Sequence, residues 1–76
     1  MQAVTIFLTQ VDQVRQFVNL TGQYPFDIDV VSGRHTVNAK SLLGIYSLDL
    51  SGPVQVLIYS DDCAGLVKEL AAFSKE

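Results

Sequence analysis

The sequence has little cysteine, few basic side chains and no long apolar run, and each shortage excludes a class of protein. The single cysteine, Cys63, cannot form an intrachain disulfide, so the chain is not a disulfide scaffold and fits a reducing compartment. Only 5 Lys and Arg stand against 8 Asp and Glu, and they are scattered, so the sequence lacks the basic patch of a nucleic-acid binder. No run approaches the roughly 20 apolar residues that cross a bilayer, which predicts no membrane contact.

The composition that remains is that of one small folded domain. With 76 residues, 49% of them hydrophobic, the chain predicts a single domain over residues 1–76, with a small core and no room for an elaborate enzyme active site. A net charge of −3 is too small for disorder. The first residues have no basic region and too short an apolar run for a signal peptide, so we expect a cytoplasmic protein.

Alternating side chains predict the strands. Residues 3–8 are rich in β-branched and aromatic side chains, which favours a first strand. Apolar and polar residues alternate over 26–30, 34–39 and 53–59, and Ser32-Gly33 is typical of a two-residue turn between the first two of these. The sequence therefore predicts four strands, two of them in a hairpin.

Helical spacing predicts three helices. The first spans about 10–21, with Thr9 as N-cap paired to Asp12 and with Gly22 in the left-handed position after it. A short helix over about 41–48 is capped by Ser41. The last helix begins at 60–62 with an acidic first turn, and its apolar stripe comprises Cys63, Leu66, Val67, Leu70 and Phe73. The order β-α-β-β-α-β-α predicts an α+β fold, a two-layer sandwich in which helices cover one face of a mainly antiparallel sheet.

One segment resembles a known family. Residues 36–48 read Thr-Val-Asn-Ala-Lys-Ser-Leu-Leu-Gly-Ile-Tyr-Ser-Leu and resemble the regulatory region of the HPr family, V-N-x-K-S-[IL]-[ML]-G-[VIL]-[ML]-S-L, with Tyr46 where Met is usual. HPr is the histidine-containing phosphocarrier of the bacterial sugar phosphotransferase system. The resemblance covers essentially the whole chain. It implies an HPr-like open-faced sandwich in a bacterial protein that is not an enzyme and needs no cofactor.

This chain has no histidine at the position where the family has its phosphoryl-accepting histidine. It lies before helix 1 in the motif G-x-H-A-R-P, and counting back from Ser41 without a gap places Gln10 at the His position and Asp12 at the Arg position. Glutamine is not a nucleophile, and a carboxylate repels a phosphoryl group. The proline of this motif is absent too, and the loop between the first strand and helix 1 is shorter than in the family. The chain therefore resembles the catabolite-repression HPr paralogue, which carries Gln but keeps the Arg-Pro that is lost here, and it is predicted not to accept phosphate from phosphoenolpyruvate.

The resemblance implies a regulatory role for Ser41. The family's counterpart is phosphorylated by an ATP-dependent HPr kinase, and the product is a co-repressor of a LacI-type regulator. A phosphate at a helix N-cap meets free N–H donors, although Ser41 can also serve as a cap alone. Leu42, Leu43 and Tyr46, with Ser47, resemble the family's partner-binding patch, with the alternative that one or two of the apolar residues cover the sheet.

Other polar residues have simpler interpretations. His35, the only histidine, is predicted to be a surface residue, because no further metal ligands stand at a suitable spacing. Cys63 is predicted to be a small buried hydrophobe, with a reactive thiol as the alternative. Asp27, Asp29 and Asp49 are predicted to be solvated.

Three functional hypotheses follow. The first is a non-catalytic, regulatory or protein-binding HPr-like domain whose partners, by resemblance, are HPr kinase, phosphotransferase-system enzymes or a LacI-type regulator. The second is a working phosphocarrier or co-repressor. The third is a structural role as a homodimer joined by sheet edges or by the patch at residues 42–46. A monomeric signalling domain is the alternative to this homodimer.

Overall fold

The computed structural model describes residues 1–74, and its strands form one four-stranded sheet. The strand order is β1-β4-β2-β3, and every neighbouring pair is antiparallel. The strands are β1 (Gln2–Ile6), β2 (Ile28–Ser32), β3 (His35–Asn38) and β4 (Val54–Ile58). The first strand ends earlier than predicted, because the N–H of Phe7 leaves β4 and donates to the carbonyl of Phe73 at 2.7 Å.

The alternation of side chains decides which face of the sheet is covered. One row of paired residues crosses the whole sheet and consists of Val4, Val56, Val30 and Val37. On the central strands the side chains of this face are buried, whereas Gln55, between two of them, is exposed. Alternate residues of a strand point to opposite faces, so one face supports the core and the other stays open.

Three helices supply the other layer. They are α1 (Val11–Gly22), α2 (Leu42–Tyr46) and α3 (Ala64–Leu70), and a 3₁₀ turn follows at Ala71–Phe73. Their buried residues join those of the sheet in one core. Phe17 and Phe73 meet edge to face, with ring centroids 6.2 Å apart and the rings at 83°. The α+β class, the element order and the predicted sandwich are confirmed, and the sheet is antiparallel throughout.

Two predicted turns differ in detail. Ser32 pairs with His35, so the hairpin turn is Gly33-Arg34 and not Ser32-Gly33. Gly33 has φ +60°, the left-handed conformation that glycine adopts at little cost. Gly22 does not adopt it: α1 includes Gly22 and ends at Gln23 with φ −79°. The N–H groups of Gln23 and the next residue donate back to carbonyls of the last turn, so no left-handed residue is needed.

The predicted acidic start of the last helix is wrong. The helix begins at Ala64, with Cys63 as a non-helical N-cap (φ −129°, ψ 17°), and its first turn contains no acidic residue. Asp61 and Asp62 lie before it, and the N–H of Asp62 donates to the Ser60 hydroxyl at 3.1 Å. A serine side chain bonded to a nearby backbone N–H offers the chain an alternative to helix, so residues 60–62 stay outside α3, and Cys63, which is 3% exposed, follows.

Candidate functional site

Gln10 is the N-cap of α1, in place of the predicted Thr9. Its backbone is extended (φ −133°, ψ 152°). The side-chain oxygen of Gln13 reaches back and accepts from the Thr9 N–H at 2.8 Å, the Thr9 hydroxyl at 3.0 Å and the Gln10 N–H at 3.2 Å. Gln13 therefore takes the part that the sequence assigned to Asp12, because its longer side chain spans the distance to the chain before the helix.

The start of α1 presents a neutral amide and a carboxylate to solvent. Gln10 and Asp12 are both exposed, and Asp12 is the acidic residue of the first turn. A helix start attracts anions through its free N–H groups, and the carboxylate of Asp12 adds negative charge there that opposes a bound anion. The only histidine, His35, is exposed at the start of β3, on another element. Over residues 1–74, no three His, Cys, Asp or Glu side chains are grouped to hold a metal ion.

Ser41 caps α2, as predicted. It is exposed, and its hydroxyl oxygen accepts from the Gly44 N–H at 3.1 Å, while its carbonyl accepts from the Ile45 N–H at 3.0 Å. At the other end of the helix the Ser47 hydroxyl donates to the Gly44 carbonyl at 2.6 Å. Both hydroxyls are thus bonded to Gly44, from opposite ends of the same short helix.

The apolar residues of α2 divide between core and surface. Ile45 is fully buried and anchors the helix. Leu42, Leu43 and Tyr46 are 37%, 82% and 42% exposed. These three residues together with exposed Ser47 form what we call the α2 patch. A shallow cleft of about 180 Å³ lies between α1 and α2, lined by Arg15, Val18, Asn19 and Leu42. The α2 patch is therefore available at the surface.

Lys40 has a structural role that the sequence did not reveal. Its ammonium donates to the carbonyls of Tyr24 at 2.7 Å and Phe26 at 2.8 Å, and the side chain is half-buried. Thr21, fully buried in α1, has its hydroxyl 3.2 Å from the Ala39 carbonyl. These two contacts fix the segment that leads into Ser41. The signal available in the sequence was the position of Lys40, directly before Ser41 in the motif.

The remaining predicted residues lie outside α1 and α2. Cys63 is buried as predicted, with its sulfur 3.6 Å from the side-chain oxygen of Gln2. Asp49 is exposed but bound: its Oδ1 accepts from the Ser51 N–H at 3.0 Å and the Ser51 hydroxyl at 2.7 Å, and these bonds lower the pKa of its carboxyl. Asp29 is half-buried rather than fully solvated, and its carboxylate raises the pKa of Tyr59.

Solved structures identify the fold. HPr-C-His from Thermoanaerobacter tengcongensis is 29% identical, with a TM-score of 0.81 over 95% of this chain and 89% of that one. Phosphocarrier protein HPr from Bacillus anthracis str. Ames is 26% identical, with a TM-score of 0.77 over 97% of this chain and 94% of that one. The chain has the HPr fold. Comparison with protein-family models and with curated proteins gives no match.

The HPr fold confirms the family resemblance that residues 36–48 suggested. The α+β architecture agrees with the neighbours over nearly the full chain. These HPr neighbours are phosphocarrier proteins and not enzymes, which fits the prediction that this chain is not an enzyme. Within residues 1–74, the helices are too short or too polar for any of them to cross a membrane.

Proposed function

We propose that this chain is a single HPr-like domain over residues 1–76 that has lost the phosphoryl acceptor. It acts as a regulatory or protein-binding component related to the sugar phosphotransferase system, in a bacterial cytoplasm. The observation that carries the proposal is the start of α1, where Gln10 and Asp12 are exposed on an HPr fold.

The chemistry of these two side chains supports the loss. Phosphoryl transfer through HPr requires a nucleophilic imidazole, with positive charge to stabilise the phosphoryl group. The amide of Gln10 has no basic lone pair for nucleophilic attack, and Asp12 carries the wrong charge. Incubation with the general phosphotransferase enzyme and labelled phosphoenolpyruvate should therefore leave the chain unlabelled, and stable labelling would contradict the proposal.

Ser41 is the proposed regulatory phosphosite. Its hydroxyl is exposed, and the helix behind it is held by buried Ile45 and by the contacts of Lys40 with the loop at Tyr24. A phosphate on this oxygen would carry negative charge and strong acceptor oxygens next to the N–H groups of α2. Phosphorylation of Ser41 would therefore change the charge beside the α2 patch, the surface proposed to bind partners.

A matched pair of serine variants tests this site. HPr kinase with ATP should label the wild-type chain and the Ser51→Ala variant, but not Ser41→Ala. Both serines are exposed, and Ser51 lies outside the α2 patch, so its replacement leaves the proposed kinase-binding surface intact. Labelling that survives Ser41→Ala, or no labelling of the wild-type chain, would contradict a role for Ser41.

The α2 patch is the proposed partner-binding surface. Leu43 is 82% exposed, so little of its side chain contributes to the core, and with exposed Leu42 and Tyr46 it forms an apolar patch of the kind that often marks a protein contact. By resemblance the partners are HPr kinase, phosphotransferase-system enzymes or a LacI-type regulator. Leu43→Asp should weaken binding of HPr kinase at least about tenfold, whereas Gln55→Asp on the open face of the sheet should leave it unchanged. Equal binding by the two variants would exclude the α2 patch.

A further inference from the structure

Arg15 is a cationic side chain that has no part in the function proposed above. It lies on α1 and is exposed, and within residues 1–74 its guanidinium forms neither an ion pair nor a hydrogen bond. The residues that line the shallow cleft between α1 and α2 are Arg15, Val18, Asn19 and Leu42. Leu42 directly follows Ser41, the proposed phosphosite, so Arg15 borders the first turn of α2 across this cleft.

Lys40 precedes Ser41 in the sequence but is not available to it. Its ammonium donates to the carbonyls of Tyr24 at 2.7 Å and of Phe26 at 2.8 Å, and the side chain is half-buried. Moving this ammonium to a phosphate on Ser41 would break both bonds and leave the two carbonyls without their donor. A cation for such a phosphate would therefore have to come from another element.

The other cations lie away from α2. Arg34 lies in the hairpin turn before β3, whereas Ser41 follows the opposite end of this four-residue strand. Lys68 lies on α3, which packs against β1, at the sheet edge opposite β3. The N-terminal ammonium is 3.4 Å from a carboxylate oxygen of Asp61. Helix α2 packs instead against α1 and β3, and Arg15 is the only Lys or Arg in these two elements.

We propose that Arg15 binds the phosphate of phosphorylated Ser41 across the cleft between α1 and α2. This contact rests on the phosphorylation of Ser41 proposed above. A guanidinium presents its N–H donors in a planar fork that matches two oxygens of a phosphate, so the contact is specific in geometry as well as in charge. Asn19 lies one turn further along the same side of α1 and adds an amide donor to the cleft. The bound phosphate would join α1 to α2 beside the α2 patch.

Asp12 is the charged residue of α1 that opposes this contact. It lies three residues before Arg15, a spacing that places two side chains on the same side of a helix. Within residues 1–74 the only ion pair joins the N-terminus to Asp61, so Asp12 does not pair with Arg15. A phosphate monoester carries about −1.5 to −2 charges at neutral pH, more than a carboxylate, so it is the stronger partner for the guanidinium.

The full chain made by chemical synthesis with phosphoserine at position 41 tests this contact without HPr kinase. A cation beside a phosphate favours the dianion and so lowers the second pKa of the phosphate, which is ordinarily about 6. A pH titration followed by phosphorus NMR measures this pKa. In Arg15→Gln the pKa should be higher than in the phosphorylated wild-type chain by about one pH unit, the lower end of the range for an adjacent opposite charge, because the site is exposed to solvent.

Two further variants separate a bound phosphate from a change of net charge. Arg34→Gln removes one positive charge from another exposed position, and the phosphate should keep the pKa that it has in the phosphorylated wild-type chain. Arg15→Lys keeps the charge but loses the planar fork, so it should restore part of the shift that Arg15→Gln abolishes. In the phosphorylated wild-type chain the NMR signal of the Arg15 Nε–H should also move relative to the unphosphorylated chain.

The outcomes distinguish this contact from the phosphosite itself. Equal phosphate pKa values in Arg15→Gln and Arg34→Gln, or an Arg15 Nε–H signal that does not respond to the phosphate, would overturn the inference. If HPr kinase labels Ser41 and these pKa values are equal, the proposed phosphosite stands and the contact with Arg15 is wrong. If the pKa rises only in Arg15→Gln while HPr kinase labels no chain, the contact with Arg15 is supported and the proposed phosphosite is wrong.

Discussion

Gly44 is the residue on which the position of Ser41 most directly depends. A Cβ at Gly44 would lie 3.1 Å from the Ser41 hydroxyl oxygen and 3.3 Å from the Cβ of Val37. Val37 belongs to the sheet and cannot withdraw without disturbing its strand. Gly44→Ala should lower the free energy of unfolding by about 1–2 kcal/mol, although alanine itself favours helix.

Gly65 provides the matched control for Gly44. It lies in α3, and a Cβ there would meet its nearest atom, the Tyr24 hydroxyl oxygen, at 3.6 Å, an ordinary contact. Gly65→Ala should raise the free energy of unfolding by about 0.5–1 kcal/mol, because alanine restricts the unfolded chain and suits a helix. Urea denaturation of both variants measures the changes, and changes of the same sign would refute this account of Gly44.

The Asp49 carboxyl should make stability depend on pH in the acid range. Because Ser51 bonds favour the charged form, the pKa of Asp49 in the folded chain lies below its ordinary value. Its stabilising contribution is therefore complete above the ordinary carboxyl pKa of about 3.9 and is lost as the pH falls through the lower pKa of the folded chain.

Two variants isolate this contribution of Asp49. Asp49→Asn keeps an acceptor oxygen but loses the charge, so the fall in melting temperature on acidification should become shallower. Ser51→Ala removes one of the two donors and leaves the backbone N–H, so its effect should be intermediate. Melting temperatures measured from neutral pH into the acid range check both, and an unchanged slope in Asp49→Asn would count against the role of this carboxyl.

At the scale of elements, the buried positions of the strands are predicted more accurately than the ends of strands or helices. The pattern of Val54, Val56 and Ile58 reflects burial on one face, which the fold must respect at every residue. Helix ends depend on capping bonds of about 1 kcal/mol that several neighbouring residues can supply. Gln13 thus replaces Asp12 at the start of α1, and the bond between the Ser60 hydroxyl and the Asp62 N–H lies where the sequence predicts the first turn of α3.

The site was predictable to the extent that its contacts are local. The Ser41 cap bonds to a residue three positions away, and the motif around it indicated a short helix. The acceptors of Lys40 lie 16 and 14 residues earlier in the sequence, on a loop whose path no local pattern determines. The side chain that fixes the approach to Ser41 therefore could not be assigned before the fold was known.

The start of α1 provides a prediction at the element scale. Because the Gln13 side chain accepts from three donors of Thr9 and Gln10, Gln13→Ala should lower the free energy of unfolding by about 1 kcal/mol. Gln16→Ala, at an exposed position of the same helix, should change it by less than about 0.5 kcal/mol. Urea denaturation distinguishes the two, and equal effects would mean that the capping bonds do not stabilise α1.

For the whole molecule, the HPr fold and the chemistry of phosphoryl transfer differ in how much sequence change they tolerate. The sheet and core superpose on HPr structures with a TM-score as high as 0.81 at only 29% identity, because many side-chain combinations fill the same core. Phosphoryl transfer has no such tolerance, since it depends on one nucleophile and the charge beside it. This difference underlies the proposal that the HPr fold persists here with a regulatory role at α2.

The most direct test of this proposal places the chain beside a phosphocarrier with the same fold. This chain and the Bacillus anthracis HPr are incubated together with the general phosphotransferase enzyme and phosphoenolpyruvate, and the intact mass of each protein is followed. The account predicts that the Bacillus anthracis protein gains the mass of one phosphoryl group while this chain keeps its original mass. A stoichiometric gain of one phosphoryl group by this chain would contradict it.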